Sequence, residues 1–456
     1  MLLILFAVLL GALILQAGLI AFFMYILLGV FLTSRWLTKR WIASLKVKRQ
    51  WKITGPVELG AEVTIQLDIH NRGTIPIGWV LVEDLFPESF LRMRPPRVRI
   101  KSRRIKLCSI PTGGVRHLKY TIICERRGYF QLGPVLLETG DLFGMHRRHR
   151  VVAPPYYLMV LPKVVPLPHY NFSSQRPIGE LNSAHRLFED PTRNAGVRPY
   201  QWGDPLQRVH WRATARTGEL QCKIYEPTTL TGATLLIDFH QSNFAARREP
   251  FTSDLITTVA ASLAYAVVME NQQLGLVSNA KDAAELYRFQ KIDQEGGDDV
   301  EVGFISREQA RTAVEAAEII DRLEPMHVPT RRGIEQITLV REALARMELT
   351  DEMTLPRLLA ETTHRLPRDA TVIAIVADIS VDSSIALGNL KRQGFAVSVI
   401  IVGLEDPEEK LIAQGRLLAE GIRDVRQIGS EEELATLGDQ APAQGTNPYQ
   451  LAVNLT

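Results

Sequence analysis

Two aspartates at the ends of apolar runs are where this chain most readily places chemistry. Ala233–Ile237 reads as a β run and is followed by Asp238, and Thr371–Ala377 (TVIAIVA) is a charge-free run followed by Asp378. When helices cover both faces of a parallel sheet, ligands sit off the carboxyl ends of its strands. An aspartate there also serves to cap loops, so a structural role stands beside the functional one. The string Asp238-Phe-His240-Gln-Ser242 favours function, because alternate residues of an extended segment point the same way and converge on one spot. Thr354, opening an expected helix Leu355–Leu366, offers a further hydroxyl.

A second block, Val197–Leu220 (VRPYQWGDPLQRVHWRATARTGEL), carries positive charge in helical register. Asp204 is a good N-cap, Pro205 suits the first helical position and Gly218 suits the end, so the block predicts a helix between them. Arg208, Arg212 and Arg216 then recur every four residues and form a basic ridge on one face. Neighbouring like charges cost a few tenths of a kcal/mol each, roughly, and such a ridge usually has acidic partners. Those partners lie on another protein, or nearby in this chain at Glu219 and Glu226, in which case the face is ordinary solvated surface.

The catalytic motifs that could compete are missing. Gly-Lys never occurs, so there is no phosphate-binding Gly-x-x-x-x-Gly-Lys-Ser/Thr loop, and there is neither a Gly-x-Ser-x-Gly elbow nor a His-Glu-x-x-His helix. We therefore expect no enzyme and no small-molecule substrate. Cys108, Cys124 and Cys222 form no Cys-x-x-Cys pair, which excludes a disulfide scaffold and a cysteine zinc site and fits a reducing compartment. A net charge of +3 gives no global basic field for nucleic acid, and 46% apolar with 23% charged residues is an ordinary globular balance.

The elements that must position these residues fall into about three units for 456 residues. Residues 1–34 contain no charged side chain and predict a transmembrane anchor, either one tilted helix or a hairpin turning at Gln16-Ala17-Gly18. A basic juxtamembrane segment, 35–54, follows with Arg35, Lys39, Arg40, Lys46, Lys48, Arg49 and Lys52 before the first acid, Glu58. Positive charge marks the cytoplasmic flank, so the lipid bilayer is a partner and the soluble domains lie on the cytoplasmic side of the cell membrane. Short alternating runs at Val63–Ile69, Trp79–Val82, Val98–Ile100, Ile105–Leu107, Leu118–Ile123 and Val135–Leu137 predict an all-β sandwich over 55–162. The arginines at 92–104 and the run His146-Arg147-Arg148-His149-Arg150 either touch anionic headgroups or are solvated strand faces.

A linker over 163–180 and the basic block within 181–228 lead to an α/β doubly wound domain over 229–437. Its expected strands include Leu274–Val277 and Ala396–Val402, and its expected helices are Asp254–Asn271, Ser383–Gln393 and Pro407–Glu420. Between Asp282 and Asp351 lies an insertion read as helical in part, at Glu308–Leu323 and Gly333–Met347, and 438–456 reads as a disordered polar tail.

Two resemblances emerge from these residues. The order of the last domain resembles a von Willebrand factor A domain with its metal-ion-dependent adhesion site, where an Asp-x-Ser-x-Ser loop, a threonine and a later aspartate hold magnesium. Asp238, Ser242, Thr354 and Asp378 match by position, with His240 standing where the family has its first serine. Magnesium prefers hard oxygen donors and imidazole suits zinc, copper or iron, so the implied site is degenerate and magnesium is the one candidate cofactor.

The basic block closely resembles the signature of the bacterial family called domain of unknown function 58. It matches through Arg198, Tyr200, Gly203 and Asp204, then Arg208-Val-His-Trp211, one residue tighter than the family spacing, and Ala215-Arg216. Glu83-Asp84-Leu85-Phe86-Pro87, Arg126-Arg127-Gly128-Tyr129, Leu132-Gly133-Pro134 and Gly140-Asp141-Leu142-Phe143-Gly144 also look like the family, which has Pro where Leu142 stands. The resemblance covers nearly the whole chain. It implies a membrane-anchored scaffold or adaptor beside a MoxR-type AAA+ ATPase, with Arg198, Tyr200, Asp204, Arg208, Trp211, Arg212 and Arg216 as partner-binding residues. The alternative is a metal-dependent ligand-binding receptor in which Asp238 and Asp378 hold a cation.

Overall fold

A computed structural model describes residues 18–51, 55–87, 95–141, 143–153, 155–167, 188–201, 209–228, 232–284, 324–368, 370–404 and 406–437. The chain divides into two compact units. The first comprises 1–163, 282–322 and 344–348, and the second comprises 164–281, 323–343 and 349–456. The expected helix Glu308–Leu323, most of the linker and the polar tail lie outside the described residues, as does the part of the anchor before Gly18.

Among the described residues of the first unit up to 163, helix α1 (Gly18–Ser44) comes first and eleven strands follow it. These are β1 (Leu45–Trp51), β2 (Val57–Glu58), β3 (Glu62–Asn71), β4 (Ile77–Asp84), β5 (Val98–Ile100), β6 (Ile105–Ile110), β7 (Val115–Cys124), β8 (Gly128–Leu132), β9 (Val135–Gly140), β10 (Arg147–Val152) and β11 (Tyr156–Leu161). They form three sheets, ordered β1-β3-β7-β5, β10-β9-β4-β6 and β2-β11-β8. Alternation explains the pairing faces. In β3, Val63, Ile65, Leu67 and Ile69 are fully buried, and one core gathers them with Val80, Val82, Tyr120, Ile122, Phe130, Leu137 and Val160.

The expected 35–54 segment is not a separate element. The helix runs on to Ser44, the chain enters β1 at once, and Leu45 pairs with Asn71 at the start of an antiparallel ladder with β3. The reason is packing. Trp41, Ile42 and Leu45 are buried in the β core, so its basic residues decorate a helix end and a strand that the core holds. None of the three cysteines forms a disulfide, and burial pushes the Cys124 thiol up to about 11, which keeps it protonated.

The second unit contains β12 (Phe188–Pro199), α2 (Trp211–Thr217), β13 (Gln221–Thr228), β14 (Gly232–Ile237), α3 (Phe251–Met269) and β15 (Gln273–Ser278). The two-residue strand β16 (Lys281–Asp282) precedes β17 (Met326–Arg331) and α4 (Glu335–Arg346), whose last turn leads into the two-residue β18 (Met347–Glu348); residues 344–348, and so β18, belong to the first unit. There follow α5 (Leu355–Thr362), β19 (Ala370–Val376), α6 (Val381–Arg392), β20 (Val397–Val402), α7 (Pro407–Ala419), β21 (Val425–Ile428) and α8 (Glu431–Leu434). The main sheet runs β17-β15-β14-β19-β20-β21, parallel except for the edge strand β17. Strands β14 and β20 are buried at every position, as a sheet covered on both faces requires. Helix α3 is long and apolar enough to cross a membrane, yet most of it is buried in this unit, packed on β14 and β15.

Candidate functional site

Strands β14, β15 and β19 are parallel neighbours, so their carboxyl ends lie on one sheet edge and bring Asp238, Asn279 and Asp378 to it. Asp238 is buried. Its Oδ1 accepts the Asn279 side-chain amide at 2.8 Å and the His240 backbone N–H at 3.1 Å, and its Oδ2 accepts the Asn243 side-chain amide at 2.7 Å. Asn279 is itself fixed: its second amide bond goes to the Met353 carbonyl at 2.6 Å, and its Oδ1 accepts the Phe239 N–H at 2.7 Å. Burial pushes the Asp238 carboxyl up, against the pull of Asn279, His240 and Asn243.

His240 and Ser242 do lie together, with Nδ1 and Oγ 2.7 Å apart, but they face each other and not Asp238. The loop is held by Thr350, whose carbonyl accepts the Gln241 N–H at 2.7 Å and whose N–H donates to Phe239 at 3.0 Å. Asp378 turns its Oδ1 back to the Ile379 N–H at 2.7 Å, while Thr354 precedes α5 without a side-chain cap bond. Among the described residues, no group of three or more His, Cys, Asp or Glu could hold a metal. A magnesium ion here would have to compete for Asp238 with three N–H donors, two on Oδ1 and one on Oδ2, whose positive ends point at the carboxylate. The four expected ligands are thus not drawn into one hydrogen-bonded cluster.

Sequence reasoning missed Asn243 and Asn279. For Asn279 a signal was present: it directly follows β15, at the same strand end that singled out Asp238 and Asp378.

The basic block folds differently from expectation. Helix α2 starts at Trp211, and its cap is His210, whose Nδ1 accepts the Ala213 N–H at 3.0 Å. The Val209–Cys222 bridge and the His210 N–H bond to the Gln221 carbonyl at 2.7 Å keep the chain extended just before Trp211, so α2 does not continue back through Val209. Asp204 and Arg208 lie outside the described residues. Gly218 does end the helix, in the left-handed conformation at φ 77°, with its N–H on the Thr214 carbonyl. The ridge on α2 is therefore Arg212 and Arg216, one turn apart, beside Trp211, which is 68% exposed. No residue of α2 is buried, and among the described residues neither arginine makes an ion pair. Tyr200 donates its backbone N–H to Leu220, and Arg198 donates to the Pro199 carbonyl at 3.2 Å.

The other signature residues sit in the first unit and are structural. Arg49 of β1 meets Asp84 of β4 at 2.5 Å, and the Tyr120 hydroxyl of β7 donates to the second Asp84 oxygen at 2.7 Å. Arg49 also donates to the Leu132 carbonyl at 3.1 Å, so the cluster ties all three sheets. Gly133, at φ +88°, lies against the Arg49 guanidinium, where a side chain would collide. Arg127 donates to the carbonyls of Leu344 at 3.0 Å and Met347 at 2.9 Å, and Arg97 grips Glu348 with both nitrogens at 2.7 and 2.9 Å. Burial pushes Glu348 up, but Arg97, Arg127 and Arg126 outweigh it and hold its carboxyl below the ordinary range.

Comparison with known proteins places the match on this second-unit region. A model of the family described as protein of unknown function DUF58 matches residues 196–295, which span α2, β14 and the Asp238 loop. An uncharacterized protein of Bacillus subtilis, YeaD, is 22% identical over 61% of this chain and 67% of its own length. Among solved structures, a PapD-like domain of human CEP192 is 20% identical over 25% of this chain and 83% of that one, with a TM-score of 0.18. Proximal thread matrix protein 1 from the mussel byssus is 12% identical over 46% of each chain, with a TM-score of 0.28. At such scores neither structural likeness bears on fold or function.

Proposed function

We propose that this chain is a membrane-anchored, non-enzymatic adaptor whose second unit docks a partner through α2. The observation that carries the proposal is a helix that buries none of its residues while presenting Trp211, Arg212 and Arg216. Exposed Trp and Arg are the residue types most often responsible for binding energy at protein interfaces, and a basic pair asks for an acidic face. The family resemblance names that partner as a MoxR-type AAA+ ATPase or its client. The second unit is read as a von Willebrand factor A-like domain that serves docking without a cation, because amides occupy Asp238.

The anchor is α1. Leu19, Phe22, Phe23, Tyr25, Ile26 and Leu27 are exposed along it, an arrangement that suits lipid and not water. Positive charges beginning at Arg35 favour placing both units on the cytoplasmic side.

The test is crosslinked purification of the full chain from native membranes. Wild-type protein is expected to recover a AAA+ ATPase, and Arg212→Glu to lose most of it at an unchanged melting temperature. Equal recovery with both proteins overturns the docking role of the helix.

A further inference from the structure

We propose that the tip of the β9–β10 hairpin, residues 143–146, is a second membrane contact that sets Phe143 and Met145 into the headgroup boundary of an anionic bilayer. The inference rests on reading α1 as the anchor and adds a separate site to it.

The hairpin lies along the last turns of α1 within the first unit. At one end Arg150 donates to the Ile42 carbonyl at 3.1 Å. At the other, the Ser34 hydroxyl donates to Asp141 at 2.6 Å, and the His146 ring packs edge-on against Phe31 with centroids 4.6 Å apart. From Ile42 back to Phe31 is about 16 Å along a helix. The tip therefore reaches past Arg35, the first charged residue, to the level of the uncharged stretch.

The tip is also built to stay there. Asp141 is buried, and its other oxygen accepts the His146 N–H at 2.8 Å, which closes the turn. The Trp79 indole donates to the Asp141 carbonyl at 3.4 Å. This rigid turn holds out two apolar side chains, Phe143 at 68% and Met145 at 40% exposure. A solvated hairpin tip has no use for such an arrangement. Arg147 and Arg148 follow immediately, and Arg35, Lys39 and Arg40 stand on the adjoining helix. Trp36, with the Arg40 guanidinium 5.4 Å above its ring, is the kind of aromatic that marks a membrane–water boundary. Apolar tip, basic collar and boundary tryptophan together match an anionic lipid surface.

The test places a photoreactive benzoylphenylalanine at position 143 or, separately, at position 22 of the full chain in nanodiscs. Discs of phosphatidylcholine alone are compared with discs containing phosphatidylglycerol, and lipid adducts are read by mass. Adducts are expected at both positions. At 143 they should be several-fold stronger with phosphatidylglycerol, and that gain should be lost in Arg147→Glu/Arg148→Glu. Adducts at 22 but none at 143 overturn the inference and leave the anchor standing. No adduct at 22 overturns the anchor reading itself. An adduct at 143 indifferent to lipid charge and to the arginines overturns the anionic preference, and a protein adduct at 143 in native membranes in place of lipid assigns the tip to a partner.

Discussion

Asp84 and Asp238 are both buried aspartates at the carboxyl end of a strand, and the two units neutralise them by different means. Around Asp84 the compensation is cationic: Arg49 pairs with it directly, Arg104 donates to its carbonyl at 3.0 Å, and Tyr120 adds a hydroxyl. Around Asp238 it is dipolar, through two amides and one backbone N–H. A full charge brought from another sheet fastens the sheets together. Amide dipoles make burial tolerable without tying one sheet to another.

The sharpest way to break the comparison is to remove the cation from the first aspartate. Arg49→Ala strands Asp84 in the core and is expected to cost about 3–5 kcal/mol, read as a fall in denaturant midpoint. Arg49→Met combined with Asp84→Asn removes both charges and should recover much of that loss. If Arg49→Ala is no worse than an average surface substitution, the pair does not hold the sheets.

Asp238→Asn is expected to cost less, about 1–3 kcal/mol, because the new amide must turn one N–H toward the amides of Asn279 or Asn243. Its pH dependence has to be isolated by substitution, because burial pushes the Asp84 carboxyl up as well. Burial raises the folded Asp238 carboxyl above its ordinary value near 3.8, so the native state binds the proton more tightly than the unfolded chain. The contribution of Asp238 to stability therefore increases as pH falls through its folded pKa toward 3.8, and Asp238→Asn should abolish that slope. Asp68 and Asp141 titrate in the opposite sense: burial pushes each up, but hydrogen bonds from His117 and Gln66, and from Ser34 and His146, hold them lower. The informative quantity is thus the wild-type minus variant difference across pH. A difference that shrinks on acidification contradicts the assignment.

Much of this contrast could be read from sequence, and the unread part has a physical cause. Asp238 was legible because a charge-free run ending in an acid is a strand-end signal, and Gly218 was legible because helix ends favour glycine. The Arg49–Asp84 pair was not, since it joins strands of different sheets and no local pattern encodes which sheets meet. The start of α2 at Trp211 was not legible, because the bridge that joins Val209 to Cys222 just before it is a non-local pairing that no capping signal encodes. The edge strand β17 was passed over as insertion, although Pro329 inside an alternating run is an edge-strand mark. Family-like motifs proved to be of two kinds: Asp84, Arg127 and Asp141 are buried and bonded within the first unit, whereas Phe143 and the α2 segment are displayed.

The smallest expected effect tests whether amides alone keep magnesium away. Asn243→Ala removes the donor on Asp238 Oδ2 and leaves that oxygen facing the loop, at a cost of about 1 kcal/mol. The variant frees on Oδ2 the lone pair that the wild type gives to the Asn243 amide. Calorimetry should detect no magnesium binding to the wild-type full chain and weak binding to Asn243→Ala, and His240→Ser added to it should strengthen that binding by trading imidazole for a hard oxygen. A binder gains stability only through the state it prefers, so millimolar magnesium should raise the melting temperature of the variants and leave the wild type unmoved. Tight magnesium binding by the wild type would show that the amides yield to a cation. It would make Asp238 a working ligand and return the second unit to the receptor reading.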